Sequence, residues 1–456
     1  MTVGELTAAQ RAYFESGVTR SLSFRKEGLL RLKQLLEKQE EAIYAALKAD
    51  LGKSKQESYQ TEIGIIKQEL KEALKHLNRW AAPKKVPTPK ILLPGKSRID
   101  REPFGVVLIM SPWNYPFHLC LVPLISALAA GNCVMLKPSA YAPNSSALLA
   151  KMLKECFPAE YVTVVEGGRM ANTSLLAQKF DFIFFTGSQN VGRTVLEAAA
   201  KNLTPVVLEL GGKSPCIVEK TADLDLAARR IAFAKGINAG QTCVAPDYVL
   251  VQRECKDRLV DLLRQYNHKF YGENPCENED WPRIINEKHF DRLQGLIAGE
   301  SVVDGGEYRS DCLKLAPTVL DNVSFDAPVM QEEIFGPVLP VIPYDNLNEA
   351  ISRIKERGKP LALYLFTEKK ETAEWLLNSL SFGCGCVNDA LVQLANPHLP
   401  FGGIGPSGMG AYHGKKGFDT FSHEKSILKK SAWIDPDLRY PPYSEEKLKA
   451  VKKFMK

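Results

Sequence analysis

The chain is short of anything that would mark a special environment. Its 456 residues include only seven histidines, and they are dispersed. No cluster of His, Cys and carboxylates has metal-ligand spacing, so no metal is expected. The ten cysteines are scattered, and the one close pair, Cys384-Gly385-Cys386, has neither zinc nor C-x-x-C spacing. With no pairing framework, the expectation is a reduced, cytoplasmic protein. A formal charge of +6 without any arginine-rich or basic-aromatic tract does not suggest nucleic acid as a partner. The amino end lacks the basic-then-apolar pattern of a leader. The longest apolar stretch, Phe117 to Leu136, is broken by His118, Pro123, Ser126, Gly131 and Asn132. That suits a helix buried in a soluble core rather than a transmembrane segment. Internal repeats and low-complexity segments are missing too. The densest basic region, Lys447 to Lys456, reads as a solvated tail, with peripheral contact to an anionic membrane as the alternative.

What is present is ordered alternation. Leu29, Leu32, Leu36, Ile43 and Leu47 recur at spacings of three, four and seven, so helix is expected from about Leu6 to Ala81. The prolines of Ala82–Pro89 end it, and Lys90 to Arg101 reads as an extended excursion. Strand–turn–helix units follow. Short apolar strands are expected at 105–110, 132–137, 162–165 and 182–185, with helices at 117–130 and 145–156. A second series starts near 215–218 and continues through 248–251 and 361–366. Continuous apolar strands alternating with helices predict an α/β fold with parallel sheets covered on both faces. Ligands of such sheets bind beyond the carboxyl ends of the strands. A boundary near Gly211-Gly212 places Glu209 and Cys243 on opposite sides of a domain junction.

Three residues could carry chemistry. Cys243, in Gly240-Gln241-Thr242-Cys243-Val244-Ala245-Pro246, is either a nucleophile or a small buried hydrophobe. An unactivated thiol is only about 3% ionised at neutral pH, a penalty of roughly 2 kcal/mol, so a nucleophile here would need help. Glu209, after Val206-Val207-Leu208, is either the base or a strand-end charge paired with Lys213. Asn114, in the proline-bounded Ser111-Pro112-Trp113-Asn114-Tyr115-Pro116, either satisfies a turn or donates to an oxyanion. A Cys nucleophile with a carboxylate base suffices to form and hydrolyse a thioester. The run Phe185-Thr186-Gly187-Ser188-Gln189-Asn190-Val191-Gly192 follows a strand, opens a helix and suits a phosphate at the helix start. Glu332-Glu333-Ile334-Phe335-Gly336-Pro337 alone would be a helix end and a surface acid. The stretch 405–410 reads as a glycine-rich loop.

Together these stretches, with Lys137-Pro138-Ser139 and Pro400-Phe401-Gly402-Gly403-Ile404-Gly405, closely resemble the aldehyde dehydrogenase superfamily over residues 5 to 440. Tyr412-His413-Gly414-Lys415-Lys416 and Arg439-Tyr440-Pro441-Pro442-Tyr443 look like its class 3 branch, which handles fatty and aromatic aldehydes. The resemblance implies a Rossmann-like dinucleotide-binding domain (1–82 and 102–210), an α/β catalytic domain (211–420) and a strand-rich bridging or oligomerisation element with the tail (83–101 and 421–456). It implies Cys243 as nucleophile, Glu209 as hydrolytic base, and Asn114 with the Cys243 backbone N–H as oxyanion donors. Glu333 is a second candidate for the base. Lys137 and Glu333 would hold ribose hydroxyls, and Phe335 would pack at the nicotinamide. Thr186, Gly187, Ser188, Val191 and Gly192 would lie near the pyrophosphate. A homodimer is implied as well.

One position departs from the class 3 pattern. The branch commonly places Glu straight after Lys-Pro-Ser, where it would repel a 2′-phosphate; here the residue is Ala140. Both NAD and NADP are therefore expected as cofactors. Trp113, Tyr115 and Tyr412 suit an apolar path for a medium- or long-chain aliphatic, or aromatic, aldehyde, though each also suits core packing. The competing readings are a cofactor-free thiol esterase and a non-catalytic protein that keeps the fold.

Overall fold

In the computed structural model, which describes residues 1–455, the apolar spacing of the amino end becomes helices Val3–Glu15, Leu22–Leu51 and Gly64–Ala81. Leu29, Leu32, Leu36, Ile43 and Leu47 are fully buried. The helix is not continuous. After Leu51 the chain makes a short helix, Lys55–Ser58, and a π-helical turn, Tyr59–Ile63, before Gly64–Ala81 begins. This break carries Lys53, Glu57 and Glu62 inward.

Strands follow in chain order. β1 (Lys84–Val86) and β2 (Gly95–Pro103) precede β3 (Val106–Met110), β4 (Cys133–Lys137), β5 (Val162–Val164), β6 (Phe182–Gly187) and β7 (Val206–Leu210). Next come β8 (Pro215–Val218), β9 (Tyr248–Gln252), β10 (Val302–Asp304), the ribbon β11 (Tyr308–Arg309) and β12 (Lys314–Leu315), and β13 (Thr318–Asp321). The last are β14 (Val338–Tyr344), β15 (Ala362–Phe366), β16 (Cys384–Val387), β17 (Gly408–Met409) and β18 (Ser422–Lys430). The first sheet runs β17-β7-β6-β3-β4-β5 and the second β10-β13-β14-β9-β8-β15-β16. Both are parallel except at the edge strands β17 and β10. Strand order reverses at β3, where β4 and β5 lie on one side and β6 and β7 on the other. Helix His118–Ala130 is buried at all thirteen residues, which explains why its sequence shows no polar face.

Only four residues, 211–214, join β7 to β8. The carboxyl edge of the first sheet therefore faces the amino edge of the second, and the candidate site lies in the seam between them. A third sheet, β1-β2-β18, pairs β2 with β18 from Ser422↔Pro103 to Lys430↔Gly95.

One segment differs from the sequence reading. The stretch 405–410 is not simply a loop: it supplies β17, which sets Gly408 opposite Glu209 on the first sheet. Gly408 has φ 146°, and a Cβ there would lie 2.2 Å from the Leu208 carbonyl oxygen, so only glycine fits. The basic carboxyl end is exposed, as a solvated tail would be, and takes helical form. It forms helix Glu445–Phe454, with Ser444 accepting the Lys447 N–H at 3.2 Å, acids in the first turn and lysines in the last. Among the described residues no helix is long and apolar enough to cross a membrane.

Candidate active site

Cys243 sits two turns of chain before β9, at the amino edge of the second sheet. Its loop leaves helix Leu224–Gly236 through three left-handed residues, Asn238 (φ 53°), Ala239 (φ 49°) and Gly240 (φ 70°). Left-handed backbone costs a non-glycine residue on the order of 1–2 kcal/mol, so surrounding contacts must hold it. Glu57 Oε1 accepts the Asn238 N–H at 2.8 Å. The Gln241 side chain donates to the carbonyls of Asn238 (2.9 Å) and Arg283 (3.0 Å) and accepts the Ile285 N–H (3.0 Å). A Cβ on Gly240 would lie 2.1 Å from the Gly336 carbonyl oxygen, so the Cys243 loop rests directly on the Glu333–Pro337 segment. On the far side of Cys243, the Tyr364 hydroxyl donates to the Val244 carbonyl at 2.6 Å.

Glu209 lies near the end of β7, 2% exposed, and among the described residues no donor reaches either of its carboxylate oxygens. Burial pushes its carboxyl well above the usual range. Glu333, before β14, folds against the Gly211 backbone: a Cβ on Gly211 would lie 2.0 Å from its Oε2. Burial, then the nearby Asp247, push Glu333 up to about 8. The Cys243 thiol is raised too, first by burial and then by Glu333 and Glu209. Both carboxyls thus add charge to the surroundings of the sulfur. Lys213 pairs with Asp247 at 2.5 Å, so the structural partnership between Glu209 and Lys213 is not formed.

Asn114 follows β3 across the seam. Its Nδ2 donates to the Gln241 carbonyl at 3.0 Å, leaving the second amide N–H of that nitrogen for another acceptor. The loop is tied to the thiol segment by the Tyr115–Thr242 hydroxyl contact at 2.5 Å.

The dinucleotide candidates line the carboxyl edge of the first sheet and its opposite bank. Lys137, at the end of β4, is 4% exposed, and its ammonium reaches only the Pro138 carbonyl (2.7 Å). Burial lowers its pKa. Thr186 Oγ1 and Glu333 Oε1 are buried without partners among the described residues. Gly187 closes β6, Ser188 caps helix Gln189–Ala200 by accepting the Val191 N–H, and a Cβ on Gly192 would lie 2.7 Å from Leu210 Cδ2. Phe335 stands edge-on to Trp113, ring centres 5.3 Å apart. A buried amine short of acceptors, two unpartnered oxygens and an open helix start fit a dinucleotide. Among the described residues no three His, Cys, Asp or Glu side chains converge as metal ligands.

The structure also brings in residues the sequence did not single out. Lys53, Glu57 and Glu62 enter from the N-terminal helices, and Asn238 and Tyr364 brace the loop. Lys235, 5% exposed and held down to about 8 chiefly by burial, lies near Glu333. The sequence signal of Glu57, Glu62 and Lys235 was weak, because charged residues on helical segments ordinarily face water.

Comparison with known proteins follows this geometry. The model described as the aldehyde dehydrogenase family matches residues 2–427. The 4,4'-diaponeurosporen-aldehyde dehydrogenase of Staphylococcus aureus is 49% identical over 448 residues, covering 98% of this chain and 97% of that one. A Rattus norvegicus protein described as aldehyde dehydrogenase, dimeric NADP-preferring, is 44% identical over 443 residues, covering 97% and 98%. The solved substrate-bound state of Staphylococcus aureus AldH has a TM-score of 0.98 at 47% identity, covering 100% of both chains.

Proposed function

Since the chain belongs to the aldehyde dehydrogenase family, we propose that it oxidises medium- or long-chain aliphatic, or aromatic, aldehydes to carboxylic acids with NAD or NADP. One observation carries this reading: Asn114, from the loop after β3, donates to the Gln241 carbonyl beside Cys243 at 3.0 Å, and Glu209 lies buried near the end of β7, the strand that leads into the second sheet. In this reading Cys243 Sγ attacks the aldehyde carbon. The developing oxyanion is held by the Asn114 amide and the Cys243 backbone N–H. A dinucleotide held by the residues named below would supply the hydride acceptor for the Cys243 adduct. The acyl group then remains on Cys243 as a thioester, and Glu209 takes a proton from the water that attacks it. A carboxyl with a raised pKa is a stronger base once ionised, which suits this step. Lys137 and Glu333 would hold ribose hydroxyls, Thr186 to Gly192 the pyrophosphate, and Phe335 the nicotinamide end.

The cofactor and substrate classes have their own support. Ala140 is exposed just beyond β4 and brings no carboxylate against a 2′-phosphate. The rat relative is described as NADP-preferring. Tyr115 and Tyr412 are buried aromatic side chains, and the Tyr115 hydroxyl meets that of Thr242 next to Cys243, which supports an apolar aldehyde. The test is absorbance at 340 nm with aldehydes from acetaldehyde to decanal plus benzaldehyde, with each cofactor separately. Reduction that strengthens with chain length and proceeds with both cofactors is expected. Strict dependence on NAD would remove the Ala140 argument, and acid formation without any cofactor would point to an esterase instead.

A homodimer belongs to the same reading. The rat relative is described as dimeric, and β18 lies at the edge of its sheet with an open outer side. Sedimentation velocity should give twice the 50.7 kDa of one chain; a monomer at micromolar concentration would contradict it. The basic helix Glu445–Phe454 would sit on the surface, where peripheral contact with anionic lipid is compatible with its lysines.

A further inference from the structure

Lys53 lies in the break between two N-terminal helices, far in sequence from Asn114 and Cys243, yet its side chain is wholly buried. Its ammonium donates to Glu62 Oε1 (3.1 Å) and to the Asn114 backbone carbonyl (3.1 Å), and sits 4.0 Å from the centre of the Tyr115 ring. The other oxygen of Glu62 accepts the N–H groups of Phe117 (2.8 Å) and His118 (3.1 Å), where the buried helix begins. The Asn114 carbonyl takes a second donor, Asn238 Nδ2, at 2.8 Å. That same nitrogen reaches the Gln241 carbonyl (3.2 Å), which also accepts Asn114 Nδ2 (3.0 Å). The contacts close into a ring: Asn114 backbone, Asn238 side chain, Gln241 carbonyl, Asn114 side chain.

Among the described residues, Lys53–Glu62 is the only ion pair with both side chains fully inaccessible. Removing two charges from water costs several kcal/mol each before their attraction is counted, so a well-packed apolar pair could serve stability as well. The location suggests a different service. An asparagine amide can aim an N–H at an oxyanion only if its own backbone is fixed, and a 1 Å displacement of a catalytic group can cost about a hundredfold in rate. We propose that Lys53, held by Glu62, is a positioning residue that locks the Asn114 peptide and thereby sets the oxyanion donor against the Cys243 loop. This rests on Asn114 acting as that donor.

Lys53→Met alone would strand a buried carboxylate, so the informative variant is Lys53→Met/Glu62→Gln, which removes both charges and keeps an acceptor for Phe117 and His118. It should fold, as judged by its melting temperature, and bind the dinucleotide within about twofold of the parent, while kcat/KM for aldehyde falls about a hundredfold. Placed in an Asn114→Ala background, the same pair of substitutions should cost less than about threefold, because residues acting through one group are not additive. Parent-level kcat/KM in the folded variant overturns the inference. So does a full loss repeated in the Asn114→Ala background, or failure of the double variant to fold. Unchanged activity of Asn114→Ala alone fails the site reading itself and is thereby distinguishable.

Discussion

At the scale of single residues, the seam gathers acids whose ionisation burial opposes. Burial raises both Glu209 and the Cys243 thiol, and each carboxylate that ionises nearby raises the thiol further. In the proposed mechanism the protonated form of each group is the inactive one. A raised pKa therefore means that activity grows as pH rises, and the climb should continue above pH 8. Glu209→Gln should keep a rapid first turnover but lose steady acid release by about a hundredfold or more. Burst kinetics between pH 6.5 and 9.5 check both points. An undiminished steady rate in Glu209→Gln would transfer the base role to Glu333, whose Gln variant should otherwise act mainly on dinucleotide KM. The residue types at 243, 209 and 114 were legible in the sequence as candidates. Their protonation states were not, because desolvation depends on what packs around a group from distant segments.

At the scale of elements, the Cys243 loop is the informative case. The glycine beside Gln241-Thr242-Cys243 suggested close backbone approach, and the structure identifies the partner as the Gly336 carbonyl. Gly240→Ala must accommodate both φ 70° and a contact at 2.1 Å. It should lower stability by about 2–4 kcal/mol and cut activity more than its effect on melting would explain, because Cys243 moves with the loop. Chemical denaturation alongside kcat/KM tests this; a neutral Gly240→Ala would show that the contact is not maintained in solution. The strands at 106–110, 133–137, 182–187 and 215–218 were legible because buried parallel strands are continuous apolar runs. β17 was not, since a two-residue Gly-Met strand carries no periodicity, and its place is set by pairing with Glu209 and Leu208. The carboxyl-terminal segment is solvated, as its lysines suggest, and its helical form rests on capping by Ser444 and the charge order along it.

At the scale of the whole molecule, the N-terminal helices do more than cover a sheet. Glu69, on helix Gly64–Ala81, accepts the Gly414 N–H at 2.7 Å and is 5% exposed. Burial moves its carboxyl from 4.5 up to about 7. A folded-state pKa raised above the unfolded one stabilises most below pH 4.5, and that contribution disappears as pH rises through 7. Over this window the parent should lose up to about 3 kcal/mol relative to Glu69→Gln, which keeps an acceptor and does not titrate. Unfolding free energies at pH 5 and pH 8 measure it; a constant gap between the two proteins would show that Glu69 ionises normally. What the sequence by itself determined is local: which runs are strands or helices, which short stretches can bear a thiol, a carboxylate or an amide, and which family they resemble. Those properties follow from neighbours along the chain. Tertiary structure alone decided that the carboxyl edge of one sheet faces the amino edge of the other, that Gly408 closes on Glu209, and that Lys53 reaches the Asn114 carbonyl from 61 residues away. Such contacts depend on loop closure and burial between distant segments, and one-dimensional spacing carries no record of them.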